Sequence, residues 1–139
     1  MVDAERIGVR LERLEHLIER LEGVRAGGED TYLADEAIRA ATERWLQLAE
    51  QIVIDIGAGL VSELSVPPPS DYAGIFTALA EADALPPDLA ERLGAAARQR
   101  NLLVHVYLDL DDRRVFASLS RLDDLREFAA VAQRLAEGP

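Results

Sequence analysis

Apolar residues recur along this chain at the helical period from one end to the other, and no segment alternates apolar and polar positions for the length of a strand. That spacing restricts the fold to helices packed on helices. The first predicted helix runs from about Asp3 to Arg25, with Ile7, Leu11, Leu14, Ile18 and Leu21 on one face and arginine and glutamate on the other. Gly27-Gly28 stops it, and Asp30 or Thr31 is placed to cap a long second helix reaching about Leu64. The stripe of that helix passes through Leu33, Ala37, Ala41, Trp45, Leu48, Ile52, Ile56 and Leu60. Gly57 and Gly59 weaken its last turns or let another helix come close.

After the rigid connector Pro67-Pro68-Pro69, Ser70 or Asp71 caps a short helix holding Ile75, Phe76 and Leu79. Pro86-Pro87-Asp88 opens the next helix, with proline in the first turn, where its missing N–H costs nothing. A last helical region spans about Arg113 to Glu137, with a break expected near residues 120–124. Val115, Leu119, Leu122, Leu125, Phe128 and Leu135 are expected along its inner side. The expectation is one all-α domain over residues 1–139, an antiparallel bundle of four main helices plus a short one.

The 139 residues are enough to bury a core without staples. With no cysteine, a disulfide framework and a catalytic thiolate are both excluded, and with two histidines a zinc site is not expected. No apolar run approaches the roughly 20 residues needed to cross a bilayer, so no membrane association is expected and a cytoplasmic location is. The 26 carboxylates against 15 cations, all of them arginine, give a net charge of −11. Such a chain repels nucleic acid at long range, so contact with RNA requires a local basic pocket. Arg98, Arg113 and Arg114 are candidates for its rim, or are solvated helix charges.

One stretch breaks the amphipathic rule. In Arg-Gln-Arg-Asn-Leu-Leu-Val-His-Val-Tyr, residues 98–107, polar groups stand in the most apolar part of the fourth main element. Arg100 interrupts a core-facing row of Leu89, Leu93, Ala96, Leu103 and Tyr107, while His105 falls about 140° around from it, one turn beyond Asn101. Residues 100–107 are therefore apolar nearly all round, which points to burial against the bundle on one side and a second protomer on the other.

The pattern fits two readings. In the first, Arg100 is half of a buried pair, with Asp55, expected on the second helix's stripe with Leu48 and Ile52, as a candidate partner, and His105 is satisfied by Asn101 or a carbonyl. In the second, His105 moves a proton near neutral pH, Arg100 holds a phosphate bidentately, and Asn101 orients the imidazole or a ribose. Those groups suit metal-independent RNA cleavage, in which a 2′-hydroxyl attacks its neighbouring phosphate.

The run from Arg100 to Tyr107 resembles R-x4-H-x-Y, the signature of the HepT-like branch of HEPN ribonuclease toxins, in its RN-x-x-VH-x-Y form. The approach FTALAEADALPPDL, the acidic LDLDD and the long second helix with an embedded acid extend the likeness over essentially the whole chain. The resemblance implies that Arg100 and His105 are the catalytic pair, supported by Asn101 and Asp55, at a homodimer cleft with no cofactor. It further implies a partner nucleotidyltransferase antitoxin that transfers AMP to Tyr107, blocking the cleft by bulk and like charge. The rival expectation is a non-catalytic dimeric helical module that partners a nucleotidyltransferase.

His16, between Glu15 and Leu17, reads as an exposed polar position, and Trp45 as core or interface. Asp109, Asp111 and Asp112 read as a solvated turn with a helix cap, not as a magnesium site.

Overall fold

The computed structural model describes residues 4–105 and 111–138, with the side chains of the helix before the gap described as far as residue 98. Its helices are α1 (Ala4–Gly27), α2 (Glu29–Ala34), α3 (Glu36–Ser62), α4 (Tyr72–Glu81), α5 (Pro87–His105), α6 (Asp112–Ser118) and α7 (Leu122–Glu137), with a 3-10 turn, Leu119–Arg121, between the last two. No strand occurs among the described residues, and α1, α3, α5 and α7 are the long members, as the periodicity requires.

The caps set the boundaries. Asp71 accepts a hydrogen bond from the Gly74 N–H at 2.8 Å and starts α4. Asp111 accepts from the backbone N–H groups of Arg113 and Arg114 and starts α6, which bears out the helix cap expected there, while Asp109 lies outside the described residues. The expected long second helix is two helices. Asp35 takes extended backbone and accepts from the Ile38 N–H at 3.1 Å, so it ends α2 and caps α3 at one residue. Arg39 then ties the corner by donating to the Leu33 carbonyl.

The core is made where α3 meets α1, α4 and α5, and α7 closes it against α1 and α5. Leu14 and Leu21 of α1, Phe76 and Leu79 of α4, Leu89 and Leu93 of α5, and Phe128 of α7 are at most 1% exposed. Phe76 and Phe128 meet edge to face, ring centroids 6.0 Å apart. Close approach of α3 and α4 depends on Gly57, where an added Cβ would lie 2.9 Å from Ile75 Cγ2. Gly59, one half-turn on, has open space beside it. Leu135, expected inside, is exposed, and Val131 and Ala132 provide that end of the core. None of the helices, among the described residues, is long and apolar enough to cross a membrane.

Candidate active site

Helix α5 carries the polar motif in its C-terminal half, and its N-terminal half shows which way each position points. Leu89, Leu93 and Ala97 are buried, as is Ala90 on the neighbouring row. Position 100 lies about 20° from both Leu89 and Leu93 in the helical register, so the arginine continues the most buried row of the helix. Position 101 follows Ala90 and Gly94, and 105 follows Gly94, along the row that faces α4. Gly94 lies against α4, where an added Cβ would meet the Ala73 Cβ at 3.6 Å, an ordinary van der Waals contact. Arg100, Asn101 and His105 thus all stand on α5, but their side chains, and Tyr107 altogether, lie outside the described residues.

The acids of α3 divide into two groups. Asp55 is exposed, and its carboxylate accepts a hydrogen bond from Gln51 Nε2 at 2.7 Å. Together with Arg6, Arg10 and Glu63 it lines an open groove of about 600 Å³ between α1 and α3. The expected place of Asp55 on the buried stripe is therefore corrected: the row through Leu48 and Ile52 turns outward there, and water solvates the carboxylate. Glu50 is the buried acid of this helix, 4% exposed, about 140° around the helix from Asp55. It stands in register with Leu46, Val53 and Gly57, the row that meets α4 and α5, and it lines a small cavity with Ala96 of α5 and with Arg121 and Asp124. Sequence reasoning missed Glu50. The signal was available, because the row Leu46–Val53–Gly57 is apolar on both sides of it.

Asp124, 9% exposed, is the second acid in that cavity, and its charge is met by Arg92 Nε at 2.8 Å. The same guanidinium reaches Asp88 at 3.3 Å and Glu127 at 3.4 Å, which fastens the first turns of α5 to α7. On the far side of the motif, Arg39 pairs with Asp112 at 3.5 Å, Arg113 with Glu29, and the Tyr32 and Phe116 rings lie 5.3 Å apart. The residues that follow the motif are thereby moored to α2 and α3. Burial there raises the pKa of Tyr32 well above that of a free phenol, and the charges of Asp112 and Glu43 add to the shift. Glu43 is raised in the same way, first by burial and then by Asp112.

The remaining candidates fall as follows. Arg98 and Arg114 are exposed, whereas Arg113 is engaged with Glu29. His16 is exposed on α1. Trp45 is half-buried under the guanidinium of Arg20, 5.5 Å from the ring centroid, so its face is already occupied. Among the described residues no cluster of histidines and carboxylates could hold a metal ion.

Comparison with known proteins agrees with the helical fold. A family model described as "Ribonuclease HepT-like" matches residues 14–132. A tRNA nuclease HepT of Aphanizomenon flos-aquae is 32% identical over 114 residues, 82% of this chain and 78% of that protein. A putative RNase of Archaeoglobus fulgidus is 31% identical over 105 residues, 76% of this chain and 79% of the other. Among solved structures, a tri-AMPylated HEPN toxin of Shewanella oneidensis, in complex with its MNT antitoxin, superposes with a TM-score of 0.82 at 23% identity. That superposition covers 94% of this chain and 97% of the toxin, and at that identity it speaks to the fold. An all-helical chain matched over most of its length by this model and by two nuclease relatives belongs to the HepT-like ribonuclease family.

Proposed function

We propose that this chain is the toxin of a two-component system, an endoribonuclease that acts on cytoplasmic RNA and is silenced by a nucleotidyltransferase partner. The observation that carries the proposal is the RN-x-x-VH-x-Y run at residues 100–107, which begins on the most buried row of α5 in a chain of this family. In the proposed reaction His105 takes the proton of a ribose 2′-hydroxyl. The freed oxygen attacks the adjacent phosphorus, the bond to the 5′-oxygen breaks as that oxygen takes up a proton from the solvent or from the protonated His105, and a 2′,3′-cyclic phosphate and a 5′-hydroxyl remain. Arg100 stabilises the charge that builds on the phosphate, and Asn101 holds the imidazole or the ribose. Asp55, exposed at the α1–α3 groove, is available to a second protomer or to RNA more readily than to the core of its own chain. The active form is a homodimer in which paired motifs share a cleft.

Silencing is by AMP transfer to Tyr107. A phosphate-bearing group there repels the RNA backbone and fills the approach to His105. The test is intact mass of the protein made with and without its nucleotidyltransferase. Whole AMP units mapping to Tyr107, lost in Tyr107→Phe, are expected, and AMP mapping elsewhere would overturn the assignment.

The net charge of −11 favours a second reading, a non-catalytic helical partner of the nucleotidyltransferase. It predicts a stable complex and no RNA cleavage by any form of the protein.

A further inference from the structure

We propose that the groove between α4 and α5 is an RNA subsite, in which Arg98 holds a backbone phosphate next to the one that is cleaved. The proposal rests on the ribonuclease reading for its substrate and on the α4–α5 face for its geometry.

A chain with a net charge of −11 repels RNA at a distance and can hold it only through discrete cations. The described side chains of α5 include two, Arg92 and Arg98. Arg92 is spent on Asp88, Asp124 and Glu127. Arg98 is exposed, and among the described residues no hydrogen bond or ion pair engages it. Its Nη1 lies 3.7 Å from where a Cβ on Gly94 would stand, so the guanidinium runs back along its own helix. There it lines an open groove of about 410 Å³, which Ala73, Thr77 and Ala80 of α4 form with Ala90 and Gly94 of α5.

Two features join this groove to the motif. Glu91, Arg98 and position 105 recur at seven-residue spacing, so they share one row of α5 to within about 40°. Along the helix axis, position 98 precedes position 105 by about 10 Å. A phosphate on Arg98 is therefore a neighbour of the reacting one, and the arginine binds the strand without touching the bond that breaks. The second feature is polarity. Gly94 stands against Ala73, which puts the Arg98 end of the groove toward the motif and leaves Glu81 and Glu91 at the end near the α4–α5 turn. Attraction is confined to the end beside the motif, and the two acids repel a strand that extends beyond it. The subsite thus selects a short exposed stretch of RNA, which an acidic protein can hold without a wide basic surface.

The experiment is steady-state cleavage of a labelled single-stranded RNA by the full chain over a range of salt, with binding of the same RNA measured on His105→Ala. Arg98→Gln is expected to raise KM by about fivefold while kcat stays within about twofold, and to weaken binding likewise. The slope of log affinity against log salt should become shallower by about 0.7, the share of one phosphate contact. Glu91→Arg, which extends the cationic end, should lower KM by about threefold. Arg134→Gln, on the exposed face of α7, should leave both constants within about twofold. Unchanged KM and salt slope in Arg98→Gln, a loss confined to kcat, or an equal loss in Arg134→Gln would each overturn the proposal. So would a change of oligomeric mass in Arg98→Gln and Glu91→Arg with RNA affinity unaltered, which would give the groove to a second copy of the chain. Wild-type protein that binds RNA through Arg98 yet cleaves none would remove the ribonuclease reading and keep the subsite; cleavage indifferent to Arg98 would do the reverse.

Discussion

Glu43 and Tyr32 show how a few charges set the local chemistry behind the motif. Both sit where Asp112 comes back onto α2 and α3, and burial with that carboxylate nearby favours their neutral forms. A raised Glu43 pKa means that the folded chain holds this proton to higher pH than the unfolded chain does. The stability it contributes is fully present below the unfolded carboxylate value of about 4.3 and is lost as pH rises through the folded value. Glu43→Gln should therefore raise the Tm at pH 7.5, and the gain should vanish as the pH is lowered to about 4. Thermal melts of the two proteins at both pH values check it; a Tm that falls at pH 7.5 would mean that the pairing of Glu43 with Arg39 outweighs its desolvation.

The same scale shows where a sequence reading goes astray. Asp55 and Glu50 are both acids on one helix, and periodicity alone placed Asp55 on the inner stripe through Leu48 and Ile52. That stripe covers more than one face, because α3 packs against α1 on one side and against α4 and α5 on another. Asp55 falls at the outer edge of the first face, and Glu50 in the middle of the second.

Among the elements, α3 tells most. Its apolar period was legible over its whole length, as were the Asp71 cap, the Pro87 start of α5 and the break before α7. The division at Asp35 was not, because a single residue that ends one helix and caps the next leaves the apolar spacing almost intact. The two glycines near the end of α3 were equivalent in sequence and are distinct in the fold. Gly57 faces Ile75 and Phe76 at contact distance, whereas Gly59 faces open space. Gly57→Val should thus cost about 1–3 kcal/mol through overpacking. Gly59→Ala should add roughly 0.5–1 kcal/mol by restoring helix propensity. Chemical denaturation of both variants decides it, and equal effects at the two sites would contradict the close α3–α4 approach.

For the molecule as a whole, the all-α class followed from the absence of period-two alternation, and family membership from a motif that occupies eight residues. Patterning could not reveal the salt-bridge frame around that motif. Arg92 binds α5 to α7 before it, and the Arg39–Asp112 and Arg113–Glu29 pairs moor α6 after it, joining residues up to 84 positions apart in sequence. Pairs at such separations leave no periodic trace. The frame ties down the described residues on either side of the motif while the chain stays acidic, with a net charge of −11. Under the proposed function, RNA selection would depend on the shape of a local cleft more than on bulk attraction.

The central claim is that Arg100 and His105 cleave RNA without a metal. Its most direct measurement is cleavage of single-stranded RNA by unmodified protein in excess chelator, with end-group analysis. Wild-type protein should give 2′,3′-cyclic phosphate ends. Arg100→Ala and His105→Ala, assayed below their melting temperatures with helical circular dichroism retained, should each lose about 10²-fold or more in rate. Full activity in either folded variant, or cleavage that disappears with the chelator, would contradict it.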